Sequence, residues 1–300
     1  MEVIQIISLP VVLVGNSIKS LIMKHLLLLF TIFSFCFING QSLVDTTNTK
    51  KDRVQVYNYN NKLDIPLTSV AAAITMFNFS QIYSKDRTTD EKILALNIDD
   101  VNKFDRRAAG NYSEDAKTAS DFFFNASITL PLIVFAFDDD LRKDYLRLTL
   151  LYLEAMSFTG MTYSSSQQFN NRLRPYTYNE DLELSIRTKG NAQNSFFSGH
   201  TALVATSTFF LARVWDDYHP DSGYKWVFYG AATTATVLTG HFRMKAGQHF
   251  PSDVLVGGII GSASGFLVPM LHKNKLFNEE KLSIMPITGE YHGLHFSYTF

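Results

Sequence analysis

Arg243, His249 and Asp253 stand together in the stretch GHFRMKAGQHFPSD, residues 240–253, between two apolar runs. A guanidinium offers a planar fork that matches phosphate oxygens. An imidazole with one nitrogen held by a partner keeps the other as a nucleophile or base. If residues 249–253 are helical, the four-residue spacing puts His249 and Asp253 on one face, and Pro251 suits the first turn. Two further clusters have similar chemistry. QQFNNRLRPY, residues 167–176, carries Gln167, Arg172 and Arg174, with Pro175 fixing the backbone beside them. NSFFSGHTA, residues 194–202, carries Ser198, Gly199 and His200 where a helix is expected to begin. Backbone N–H groups at a helix start attract anions. Each cluster alone is weak evidence, because arginines and histidines at the ends of apolar runs often serve only as interfacial anchors.

Six apolar blocks must position these groups. They occupy residues 65–84, 122–137, 146–166 and 198–215, followed by the two runs that flank the opening stretch. Their lengths border on the ~20 residues that cross a bilayer, so length alone leaves a soluble bundle open. Small residues recur in the last block, where Gly257 and Gly261 have the spacing that lets helices approach closely in lipid. Three aspartates, Asp138, Asp139 and Asp140, stop the second block. The tail alternates Leu294, Phe296, Tyr298 and Phe300, which predicts a strand.

Composition narrows the class. Only 18% of the 300 residues are charged and 46% are hydrophobic, which leans toward a membrane protein. A net charge of −1 argues against nucleic acid as a partner. The single cysteine, Cys36, excludes an internal disulfide and clustered cysteine metal sites. MKHLLLLFTIFSFCFINGQS, from Met23, has the layout of a signal peptide. The expected organisation is a signal peptide or anchor at 1–40, a polar linker at 41–64, a helical domain at 65–272 and a tail at 273–300. Export points to a bacterial envelope, with a membrane-bound chain whose site faces the periplasm, or a soluble periplasmic one.

Taken in order, the three clusters resemble the type 2 phosphatidic acid phosphatase and vanadium-dependent haloperoxidase superfamily. Its motifs are Lys, six residues, Arg-Pro; Pro-Ser-Gly-His; and Ser-Arg, five residues, His, three residues, Asp. Here they read Arg174-Pro175, Ser198-Gly199-His200, and Arg243 with His249 and Asp253. The resemblance, over roughly residues 65–272, implies an all-α six-helix bundle, membrane-embedded, to which the alternating residues add a strand-like tail. It implies that His249 attacks phosphorus, that Asp253 orients His249, and that His200 protonates the leaving group. Arg174, Arg243, Ser198 and Gly199 would hold the phosphoryl oxygens. No metal or cofactor is required; vanadate would enter only on the haloperoxidase reading. The substrate would be a lipid phosphate or a small phosphomonoester. Three positions depart from the motifs. Gln167 stands for the lysine, with Arg172 as a compensating cation in the same loop, Phe197 for the proline and Phe242 for the serine. Loss of the lysine leaves a catalytically weak scaffold as a further reading.

Overall fold

The computed structural model describes residues 55–273 and two strands, 282–287 and 293–298. The expected leader at 1–40, the first part of the expected linker (41–54) and the rest of the tail lie outside the described residues.

Eight α-helices and several short 3-10 turns make up residues 64–271: α1 (Asp64–Ile82), α2 (Asp90–Leu94), α3 (Glu114–Phe137), α4 (Tyr145–Phe169), α5 (Leu184–Arg187), α6 (Gly199–Tyr218), α7 (Lys225–Lys245) and α8 (Pro251–Leu271). The six long ones coincide with the six apolar blocks. Strands β1 (Leu282–Ile287) and β2 (Gly293–Tyr298) pair antiparallel, with Leu282 opposite Tyr298 and Ile287 opposite Gly293. The strand expected from the alternating tail is therefore present.

Local signals set the helix ends. Ser113 caps α3 by accepting from the Ala116 N–H, and Glu114 and Asp115 meet the positive end of the helix dipole. This cap starts α3 eight residues before the apolar run at 122. The helix so carries two polar turns that hydropathy alone leaves out. Gly247, at φ +68°, ends α7 in the left-handed conformation. A Cβ there would lie 1.8 Å from the Asn111 carbonyl oxygen, so the turn that delivers His249 demands glycine. Pro251 then opens α8.

Helix α6 lies at the centre, buried along most of its length and packed by α3, α4, α7 and α8; α1 lies against α4. Phe135, Leu148, Leu151, Tyr152, Phe210 and Val214 belong to the main core. Tyr57, fully buried, joins that core, and its hydroxyl donates to Asp217 at 2.8 Å. Residues 55–63, the C-terminal end of the segment expected as a polar linker, are thus a docked arm. The polar composition of 41–64 hides Tyr57, the aromatic that enters the core.

The contact of α6 with α8 is made by backbone. A Cβ on Gly257 would lie 2.5 Å from the Ser198 carbonyl oxygen, one on Gly261 2.0 Å from that of Ala202, and one on Gly265 2.4 Å from that of Thr206. Gly261→Ala is expected to destabilise the fold by about 1–3 kcal/mol, as overpacking does, and to lower the thermal unfolding midpoint in detergent. An unchanged midpoint would mean that the two helices can separate freely.

Helices α1, α3 and α8 are long and apolar enough to cross a membrane, with 19, 24 and 21 residues. Their outward faces carry Val70, Ile74 and Phe77, Leu130 and Ile133, and Leu255 and Ile259, all exposed. Contiguous exposed apolar surface on this scale suits lipid rather than water.

Candidate active site

The three sequence clusters meet at one end of the bundle. The loop after α4 brings Arg172 and Arg174, the start of α6 brings His200, the last turn of α7 brings Arg243, and the α7–α8 turn brings His249.

His249 is 2% exposed, and its Nδ1 lies 2.7 Å from the Ser195 carbonyl oxygen. A carbonyl only accepts, so Nδ1 carries the proton and Nε2 is left with its lone pair. Burial, then the charges of Arg243 and Arg174, holds the imidazole well below its ordinary pKa, against the pull of the Ser195 carbonyl. His249 is thus neutral at physiological pH.

Asp253 is fully buried and makes no hydrogen bond to His249, contrary to the expected direct orientation. Its Oδ2 accepts from Ser195 Oγ at 2.6 Å and from the Phe250 N–H at 2.8 Å, and its Oδ1 accepts from Arg172 at 2.5 Å. The helix begins only at Pro251, so His249 lies outside it and the two side chains do not share a helical face. Asp253 instead ties down Ser195, whose carbonyl ties down His249. Asp253 is a positioning residue acting at one remove.

Arg172 is not available to an anion either. Besides Asp253, it donates to Asp105 at 2.6 Å and to Ser252 at 2.8 Å, and it stacks over the Phe250 ring. Burial pushes the Asp105 carboxyl up, but hydrogen bonds from Asn102, Ser252 and Arg172 outweigh it and hold the pKa below the ordinary value. Arg172 therefore clamps the start of α8 and does not replace the missing lysine. Gln167, fully buried, donates from Nε2 to the Phe197 carbonyl at 3.2 Å, and its Oε1 has no partner. An unpaired acceptor lone pair offers nothing to a phosphate oxygen. Ser198 is committed too: its N–H donates to the Asp253 carbonyl at 3.0 Å and its hydroxyl pairs with Thr201. Gly199, the first residue of α6, lies against the Tyr163 ring, where a Cβ would come within 2.8 Å.

Two arginines remain for an anion. Arg243 is 5% exposed, and its Nε has no hydrogen-bond partner. Its Nη1 reaches Ser120 at 3.3 Å and Asp121 at 3.5 Å. Burial and Arg174 lower Arg243 to about 10, so it stays charged at neutral pH. Arg174 donates to Gln248 Oε1 and to the Asn194 carbonyl.

His200 sits in the first turn of α6, beside the Phe124 ring, with Nε2 3.1 Å from Asp121. Burial, then Arg243 and Arg174, depresses its pKa to about 3 in the free protein. The Asp121 carboxylate opposes this only weakly, because it is 44% exposed and water screens it. An anion lodged between the arginines would cancel their repulsion and return a proton to His200.

Sequence reasoning missed Asp121, Asp105, Ser195 and Gln248. Asp121 lies in the polar start of α3, beyond the apolar block. Asp105 belongs to a charge-mixed loop with no motif. Ser195 was inside the quoted second cluster, but its role passes through its backbone carbonyl, which no residue type reveals.

The family model of the PAP2 superfamily matches residues 148–277, a span that holds all three clusters and leaves α1 and α3 outside. Among solved structures, the chain is similar to a transmembrane PAP2 type phosphatidylglycerolphosphate phosphatase from Bacillus subtilis. The identity is 20%, covering 69% of this chain and 94% of that one, with a TM-score of 0.41. No curated protein matches the chain.

Proposed function

We propose, from a PAP2 superfamily domain over residues 148–277, that the chain is a phosphatase working through a phosphohistidine. The observation that carries this reading is His249: its Nδ1 is fixed by a carbonyl, so a bare Nε2 stands in the field of two guanidiniums.

In the proposed reaction, Arg174 and the Nε of Arg243 hold the phosphoryl oxygens, aided by the positive end of α6 at Gly199. Nε2 of His249 attacks phosphorus as the bond to the leaving oxygen breaks. His200 gives that oxygen its proton. Water then attacks the phosphohistidine, His200 takes a proton from it, and phosphate leaves. Little beyond positioning and charge is asked of the protein, and no metal enters the scheme.

A lipid phosphate fits the surroundings. Helix α3 supplies Asp121 beside His200 and, further along, presents Phe122, Leu130 and Ile133 outward. A head group could reach the arginines while its apolar tail follows α3. The test is phosphate release by the full chain in detergent from phosphatidate, a prenyl pyrophosphate and p-nitrophenyl phosphate. Turnover of the lipids above the small ester supports the reading. Preference for the small ester would favour a phosphatase of small phosphomonoesters, and folded protein that releases phosphate from none would leave a scaffold or a vanadate-binding oxidant.

A pH prediction follows from Asp121. The general acid must be protonated, so its pKa sets the alkaline limb of kcat. Asp121 favours the protonated form, so Asp121→Asn is expected to move that limb to lower pH and leave the acid limb in place. A limb that does not move would remove Asp121 from this role.

A further inference from the structure

At the other end of the bundle, three ligating side chains converge. Asp64 opens α1, Glu154 lies in α4 and His272 follows the last turn of α8. One ligand atom from each lies within 4.8 Å of the others. His272 Nε2 is 3.4 Å from Asp64 Oδ2 and 3.6 Å from Glu154 Oε2. Asp253 and His272 stand 19 positions apart along one helix axis, so about 28 Å separates this cluster from the proposed phosphate site.

Each donor is already oriented. His272 Nδ1 lies 2.8 Å from the Val268 carbonyl, which fixes the proton there and turns the Nε2 lone pair toward the carboxylates. Asp64 Oδ2 accepts from the Asn60 N–H at 2.6 Å. Such outer contacts are what hold metal ligands in place. Glu154 adds an independent sign: its side chain is only 6% exposed, yet Oε2, the atom facing His272, has no hydrogen-bond partner. Among the described residues no lysine or arginine pairs with Asp64 or Glu154. Two buried carboxylates and a lone pair thus face one another, an arrangement that costs several kcal/mol unless a cation joins it.

The distances favour a metal over a proton. A charge-assisted hydrogen bond would close to about 2.7–2.9 Å. Ligands at about 2.0–2.1 Å around a tetrahedral zinc ion are separated by roughly 3.3–3.4 Å along each edge. A dication would also neutralise the two carboxylates, and an imidazole with two carboxylates suits zinc and its divalent neighbours.

We propose that Asp64 Oδ2, Glu154 Oε2 and His272 Nε2 form a divalent transition-metal site, of zinc-like geometry, that fastens α1, α4 and α8 together. The arm at 55–60 adds to it, since Asn58 N–H donates to the His272 carbonyl at 2.8 Å and Tyr59 stacks on the His272 ring. The site is structural and separate from the chemistry.

The test uses tag-free full chain in detergent, stripped with chelator and titrated with Co²⁺. The expected result is saturation at about one equivalent, with the visible absorption of a four- or five-coordinate cobalt, displaced by Zn²⁺. Zn²⁺ should raise the thermal midpoint. Glu154→Gln and His272→Ala should each weaken binding at least tenfold, while His249→Ala keeps it. Glu154→Gln preserves shape, and its circular dichroism checks that the fold survives. No cobalt absorption in the wild type, or binding untouched by both variants, overturns the site. A thermal midpoint that ignores metal would also overturn it.

Discussion

His249→Ala is expected to abolish phosphate release, by about 10³-fold or more in kcat, in a variant that is less stable but, by circular dichroism, still folded. The proposed nucleophile has no substitute: the other histidine of the site, His200, pairs through Nε2 with Asp121 and stands in the first turn of α6. The loss should fall on kcat, because Arg174 and Arg243 still bind the head group. Trapping gives a second reading of the same experiment. Acid-labile, base-stable radiolabel from a ³²P lipid should attach to the wild type and be missing from the variant. A variant that retains measurable turnover, or a wild type that never takes up label, would end the phosphohistidine scheme while leaving the bundle intact.

Asp253→Ala is expected to damage both fold and activity. The carboxylate receives hydrogen bonds from Ser195, Phe250 and Arg172 and is itself fully buried. Removing one member of a buried ion pair costs about 3–5 kcal/mol. The lower end, about 3 kcal/mol, is expected here, because Arg172 is 25% exposed and keeps its bond to Asp105. Ser195 would lose its anchor, and the carbonyl that fixes His249 would drift with it. A fall in kcat of about 10–100-fold should accompany the stability loss, as large as the effect of removing an outer partner from a metal-ligating histidine. Asp253→Asn retains one acceptor for Phe250 or Ser195 and should fall between the two proteins. Chemical denaturation together with kcat at a temperature where each variant is folded separates the two effects. Full activity in folded Asp253→Ala would mean that Ser195 holds its place unaided.

These expectations come from different depths of the sequence. The six long helices were legible because apolar runs of bilayer-like length survive any packing arrangement. The meeting of Arg174, His200, Arg243 and His249 was expected from the resemblance of the three clusters, in their order, to the superfamily's motifs. The ends of helices were less so. The Ser113 cap carries α3 eight residues past its apolar run, and Asp121 enters the site on that extension. Roles that depend on pairing were not legible either. Arg172 and Arg174 are two residues apart and chemically identical, yet one clamps α8 through Asp105 and Asp253 while the other stays near the anion site. Only the fold tells them apart. The Asp253–Ser195–His249 relay runs through a main-chain carbonyl, and side-chain identity does not encode that.

The glycine edge of α8 has a consequence for how such a protein can diversify. Gly257, Gly261 and Gly265 set main chain against main chain, so the span from His200 to His249 is governed by two backbones and not by exchangeable side chains. Substitutions that accumulate elsewhere leave that span fixed. Novelty is then confined to what surrounds the reacting pair: the outward faces of α1 and α3, which also lie outside the matched domain, and the loops at 85–112 and 170–198. Swapping the exposed residues of α3 should therefore retune which tail is accepted while the attack on phosphorus proceeds at an unaltered geometry. Engineers wanting a new substrate would begin there and leave α6 and α8 alone.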